Sequence, residues 1–134
     1  LDLDRFKPIN DLHGHEIGDQ ALKFFGKILS ENLRAHGHDA VVRNGGDEFT
    51  IILPDCTYEH ALIVKEKIKS ALAGENFSSH GVTLSLRTSI GDAMERMQDG
   101  EILRLDEILK TADSNMYQDK SLGHEQRKSG REFA

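Results

Sequence analysis

The stretch Val41-Val42-Arg43-Asn44-Gly45-Gly46-Asp47-Glu48-Phe49-Thr50-Ile51-Ile52 decides how this chain folds. Two β-branched runs flank an Asn-Gly pair, the strongest short-range signal for a hairpin, because a tight turn there needs positive φ at its central positions. The hairpin is expected over roughly residues 40 to 53, closed by Pro54. Two carboxylates follow the glycines at once, where the backbone carries no Cβ and can be approached closely. Bare backbone beside paired acids can hold a metal ion and a phosphate together.

Working outward, Ala40 is preceded by a polar stretch from Asn32 to Asp39, which contains Gly37 and reads as a loop. Before it, Ile17, Ala21, Phe24, Phe25, Ile28 and Leu33 recur at helical spacing and predict a helix from about Ile17 to Leu33. The opening residues Leu1-Asp2-Leu3-Asp4 read as a strand, followed by a loop to residue 15 in which Pro8 stops any early helix. Downstream of the hairpin, Thr57 is suited to cap a second helix that ends at Gly74, with Ala61, Leu62, Val64, Ile68, Ala71 and Leu72 on its buried side. Val82, Leu84 and Leu86 alternate with Thr83, Ser85 and Arg87, a strand pattern over 81 to 93. Residues 94 to 104 read as a charged connector. A third helix is expected to be capped by Asp106 and to stop before Gly123, with Ile108, Leu109, Ala112, Met116 and Tyr117 facing inward. Residues 125 to 134 read as an edge strand or a tail. The order strand, helix, hairpin, helix, strand, helix gives an α+β class, a mainly antiparallel sheet flanked by helices.

Composition bounds the function. The 134 residues suffice for one domain with a proper core, and 30% charged against 37% hydrophobic residues fits a globular protein in water. No apolar run is long enough to span a membrane. Cys56 is the single cysteine, so an internal disulfide is impossible and a reducing compartment, the cytoplasm, is expected for this domain. A net charge of -6 argues against a nucleic-acid partner, yet leaves room for an anionic nucleotide held through a divalent cation. The pairs His13/His15 and His36/His38 do not make a zinc motif, for no His-Glu-x-x-His helix and no further cysteine accompany them.

Three groups of residues supply candidate chemistry. Asp2 and Asp4 share one face of the opening strand, and one of them is placed to meet Asp47 across the sheet around a hard cation. Arg5, Phe6 and Lys7 follow in a turn whose amides and ammonium suit phosphates. Asn10 and Asp19 offer an amide and a carboxylate, the groups that pair with the donor edge of guanine. Taken alone, each group reads more readily as solvated surface, turn or helix-start residues.

Together, Asp2-Leu3-Asp4-Arg5-Phe6-Lys7-Pro8-Ile9-Asn10-Asp11, Gly14-His15, Gly18-Asp19, Gly45-Gly46-Asp47-Glu48-Phe49, Ser89-Ile90-Gly91 and Ala112-Asp113 through Lys120 and Gly123 resemble the diguanylate cyclase (GGDEF) domain family. The resemblance runs in order over nearly the whole chain. It implies a fold similar to the nucleotidyl cyclase and polymerase palm, and the condensation of two GTP into cyclic di-GMP with loss of two pyrophosphates. By matching position, Asp2, the Leu3 carbonyl and Asp47 would hold two Mg2+ (or Mn2+) ions, and Asn10 and Asp19 would read guanine. Lys7, the amides around Arg5 and Phe6, and Lys120 would bind phosphates; Gly45 and Gly46 would let the nucleotide lie on the hairpin. Asp47 or Glu48 would take the 3′-hydroxyl proton. Catalysis would need a homodimer, with an upstream sensor or regulatory domain in the full-length protein.

The chain departs from the family pattern in three places. His36 stands where many members have the arginine of an inhibitory Arg-x-x-Asp stretch, with Asp39 retained. His124 replaces an arginine, and the first helix and most of the first strand of a 1–134 GGDEF-type domain are expected to lie upstream of Leu1. The competing reading is a catalytically silent module that binds GTP to regulate or dimerise; retention of the Gly-Gly-Asp-Glu-Phe core favours the enzyme.

Overall fold

Ten elements form in the computed structural model, which describes residues 1–35, 37–98, 101 and 103–132. In order they are β1 (Asp2–Leu3), α1 (Phe6–His13), α2 (His15–Glu31), β2 (Ala40–Gly45), β3 (Glu48–Ile52), α3 (Tyr58–Gly74), β4 (Phe77–Ser79), β5 (Val82–Leu84), β6 (Thr88–Ser89) and α4 (Leu105–Glu132). The chain divides into two units between Thr88 and Ser89. One sheet runs β2-β3-β1-β6, and β4 and β5 make a separate hairpin. The pairs β2/β3, β3/β1 and β4/β5 are antiparallel.

The central hairpin forms where its sequence places it, but its turn is shifted. Positive φ falls on Gly45 (144°) and Gly46 (53°), not on Asn44. The register slips between Arg43, opposite Phe49, and Gly45, opposite Glu48. Asn44 is therefore the extra residue of a bulge, and its amide bridges to Thr50 Oγ1 across the ladder at 2.8 Å. Arg43 Nε closes the turn by donating to the Gly46 carbonyl at 2.9 Å.

The core of the first unit lies along α2. Ile17, Ala21, Phe25 and Ile28 are buried as the periodicity requires, together with Leu22 and Leu29. Phe49, the last residue of the hairpin motif, meets Phe25 edge to face with ring centroids 5.1 Å apart. Phe24 packs against Phe77 of β4 at 5.7 Å. Leu3, wholly buried, anchors β1 in the same core.

Several expectations are corrected. Pro8 does not stop a helix; it is the third residue of α1, where the missing N–H would have had no intrahelical acceptor. The segment expected as one strand over 81–93 is instead β5 and β6, and β5 pairs with β4 around His80 and Gly81, both at positive φ. Leu62 on α3 is exposed, and that helix buries chiefly Ile68 and Leu72. Thr57 does cap α3, its Oγ1 accepting from the His60 amide at 3.3 Å.

In the second unit α4 runs to Glu132 without stopping at Gly123, and no edge strand forms over the described part of 125–134. One interior glycine costs only about 1 kcal/mol against alanine, too little to end a helix rich in Glu, Gln, Lys and Arg. Leu109 and Tyr117 point to solvent instead of inward. Gly91 lies so close to the backbone of Ala112 and Met116 that a Cβ there would overlap both. The Ile90 amide donates to Asp119 Oδ2 (2.9 Å), and Asn115 Nδ2 donates to the Asp92 carbonyl (2.7 Å).

Candidate active site

The site is built where β1 meets the hairpin. The Leu3 amide donates to the Asp47 carbonyl at 3.2 Å, and the Phe49 amide donates to the Leu1 carbonyl at 2.9 Å. These two bonds flank the pair Asp2 and Glu48, which face each other across the ladder. Such a pair is non-hydrogen-bonded, with Cα atoms about 4.5 Å apart and side chains on one face of the sheet. The carboxylate directly opposite Asp2 is thus that of Glu48. Asp47, expected in that place, sits in the adjoining turn with its carbonyl tied to β1.

Two like charges set opposite each other on a ladder destabilise it, unless a cation lies between or beside them. The Leu3 carbonyl and the Asp47 carboxylate would add oxygen donors of the kind that Mg2+ accepts, the remainder coming from water and phosphate. The donor set therefore fits a hard divalent ion, though among the described residues no three His, Cys, Asp or Glu side chains are grouped closely enough to enclose one.

Next along the chain, Asp4 is fixed by donation of its amide to the Arg87 carbonyl at 2.8 Å, and Arg5 takes the left-handed conformation at φ 61°. That bend starts α1. The expected phosphate turn is in fact a helix N-terminus, whose first amides have no intrahelical acceptor and whose dipole favours an anion. The first intrahelical bond is from Ile9 to the Arg5 carbonyl at 3.2 Å, so the amides before it, of Phe6 and Lys7, precede the ladder. The Lys7 side chain is exposed beside them.

Gly14, at φ 87°, separates α1 from α2 and lets the two helices pack side by side. This elbow brings Asn10, near the end of α1, against Gly18 of α2, which Asp19 follows. Asn10 Oδ1 is buried without a hydrogen-bond partner among the described residues, whereas Asp19 is exposed.

The remaining candidates fare differently. Lys120 is half-buried on α4, in the second unit. His36 and the His124 side chain lie outside the described residues. Asp39 is clamped by a residue that sequence reasoning missed: Arg34 donates to it from its backbone amide (2.9 Å), Nε (3.0 Å) and Nη2 (2.5 Å). The guanidinium holds the Asp39 carboxyl below its ordinary range, chiefly by these hydrogen bonds. An arginine five residues before an aspartate, across a short loop, is the signal that would have found this pair.

Comparison with known proteins identifies the family and the fold. The family model for "Diguanylate cyclase, GGDEF domain" matches residues 1–126. The chain is 39% identical over 125 residues to response regulator PleD of Caulobacter vibrioides, covering 92% of this chain and 26% of that protein. It is 33% identical over 123 residues to diguanylate cyclase DgcS of Shewanella oneidensis, covering 92% of this chain and 38% of the relative. Among solved structures, the GGDEF domain of YfiN (TpbB) from Pseudomonas aeruginosa superposes with a TM-score of 0.75 at 32% identity, covering 90% of this chain and 73% of that one. The chain thus spans well under half the length of these curated relatives. Its α+β fold is the palm-like cyclase fold, and the chain belongs to the diguanylate cyclase GGDEF domain family.

Proposed function

We propose that this chain is the catalytic domain of an active diguanylate cyclase, which joins two GTP into cyclic di-GMP at the interface of two copies. The observation that carries this reading is the register of β1 against β3, which sets Asp2 opposite Glu48 beside the Asp47 turn and directly before the N-terminus of α1. Acids for a cation and amides for a phosphate then occupy consecutive positions of one strand-to-helix junction.

Asp2, the Leu3 carbonyl and Asp47 would hold Mg2+ or Mn2+, with Glu48 adjoining them. When bound, the ions would acidify the 3′-hydroxyl and neutralise charge on the departing pyrophosphate. The Phe6 and Lys7 amides and the Lys7 ammonium bind the outer phosphates. Asp19 accepts from guanine N1–H and its exocyclic amine, while Asn10 makes a second polar contact to the base. The 3′-oxygen of one GTP forms a bond to the α-phosphorus of the other. The bond from that phosphorus to the bridging oxygen breaks, and pyrophosphate leaves with the electron pair. Glu48 takes the hydroxyl proton, directly or through water. Repetition with the roles exchanged closes the ring.

Two nucleotides held on separate copies must be brought face to face, so a sensor or regulatory domain elsewhere in the full-length protein would control the pairing. No helix among the described residues is long and apolar enough to cross a membrane, and we place this domain in the cytoplasm, where GTP is available.

The test is to incubate the full-length protein with GTP and Mg2+, separate the nucleotides, and repeat with Asp47→Ala. Cyclic di-GMP that vanishes in the variant is the expected result. Tight GTP binding with no turnover at any protein concentration would instead establish the silent regulatory module.

A further inference from the structure

Gly18 occupies the first turn of α2, in contact with α1. A Cβ at this position would overlap Asn10 Oδ1, lie 2.9 Å from Asn10 Cγ, and meet Phe6 Cε2 at 3.4 Å. The Asn10 amide oxygen is therefore directed at a place where the helix has no side chain. It is the atom turned inward, buried and without a hydrogen-bond partner among the described residues.

A glycine Cα–H directed at a carbonyl oxygen is a weak favourable contact, whereas an amide N–H in the same place would meet hydrogen with hydrogen. The contact thus selects between the two faces of an amide that are nearly equal in shape. With the oxygen inward, the amide directs its NH2 group away from Gly18. A base held beside Asp19 then meets donors from Asn10 and acceptors from Asp19, one of each sign. Guanine carries both kinds of group, and adenine lacks the N1–H and 2-amino group from which Asp19 would accept. We propose that Gly18 is a positioning residue for guanine recognition, which fixes the polarity of the Asn10 amide by the absence of its own side chain. This rests on the reading of Asn10 and Asp19 as guanine ligands.

The overlap would fall on the end of a mobile side chain and not on backbone, so Gly18→Ala is expected to fold, with the Asn10 amide rotated out of place. Binding is measured on the full-length protein with guanosine 5′-(α,β-methylene)triphosphate, which cannot be cleaved at the reacting bond, and with its adenosine counterpart. Gly18→Ala is expected to weaken the guanine nucleotide about tenfold, the loss of roughly one good hydrogen bond, with the adenine nucleotide unchanged. Asn10→Ala should weaken it by a similar factor, and the double variant should be no worse than either single one. In the protein without nucleotide, the side-chain amide resonances of Asn10 should shift in Gly18→Ala.

Guanine binding by Gly18→Ala equal to wild type would overturn the inference while leaving the cyclase reading intact. So would losses that multiply in the double variant. Should Gly18→Ala fail to fold, a folded double variant supports the inference and an unfolded one refutes it. A wild-type protein that does not distinguish the two nucleotides would overturn both this inference and the assignment of the base site.

Discussion

Arg34 encloses the Asp39 carboxylate from three donors and also donates to the Pro54 carbonyl at 2.6 Å, joining the loop after α2 to the segment after β3. The Asp39 side chain is 1% exposed beneath it. Because its carboxyl is held below the ordinary value, the stability it contributes is present above the unfolded value near 4 and is lost as pH falls through the lowered folded one. Asp39→Asn should therefore lower the melting temperature by a few degrees at neutral pH and remove part of its fall in acid, checked by thermal scans between about pH 2 and 7. An aspartate already saturated by its own chain is also poorly available to a second ligand. Micromolar cyclic di-GMP is expected to leave the initial rate of the cyclase unchanged, and strong inhibition that disappears in Asp39→Ala would contradict this.

Removing one of the facing carboxylates should divide stability from activity. Glu48→Gln relieves the opposition to Asp2 and is expected to raise the stability of the metal-free protein by about 0.2–1 kcal/mol. The same change should cut turnover by about a hundredfold or more, through loss of the proton acceptor. Urea titrations without divalent ions, set beside product assays with Mg2+, check both halves.

Lys7→Ala should act on nucleotide affinity. The lysine adds a point charge to amides already aligned at the start of α1, so KM for GTP is expected to rise about tenfold while kcat changes less. A fall confined to kcat would place Lys7 at the reacting phosphorus instead.

Backbone conformation alone should distinguish the two hairpin glycines. A Cβ at Gly46 meets nothing within 4 Å, and its φ of 53° is the left-handed helical value, so Gly46→Ala should cost about 1–2 kcal/mol. Gly45, at φ 144°, lies where other residues scarcely go, and Gly45→Ala should cost more. Equal losses would count against the turn geometry.

Phe49→Ala removes the edge-to-face partner of Phe25 and should cost about 3–5 kcal/mol, read as a lower urea midpoint at constant slope.

The hairpin, α2 and α3 were legible in the sequence because each depends on local pattern: alternation, helical spacing, a threonine cap. What was not legible depends on position within an element or on a distant partner. Pro8 looked like a stop because nothing in the sequence says that it stands third in a helix, where it does no harm. β4 was missed because Phe77-Ser78-Ser79 has one apolar residue, and it becomes a strand only by pairing with β5 around His80-Gly81. Asp2 was matched with Asp47 because the register of β1 on β3, which sets Glu48 opposite it, is fixed by bonds between distant residues that spacing does not show. Asn10 and Asp19 stand out by residue type, but the contact of Asn10 with Gly18 could be read only from the packing of α1 on α2.

The two bonds that bracket Asp2 and Glu48 join residues more than forty positions apart in the chain. A slip of one residue would turn Asp2 into the interior and Leu3 into solvent. The acidic cluster is consequently assembled only after a strand pairing between distant parts of the chain is complete, and not within any local hairpin or helix. Divalent-ion binding during refolding should then appear only once β1 has paired with β3, so that the domain gains its chemistry together with its native register and a half-folded copy stays silent.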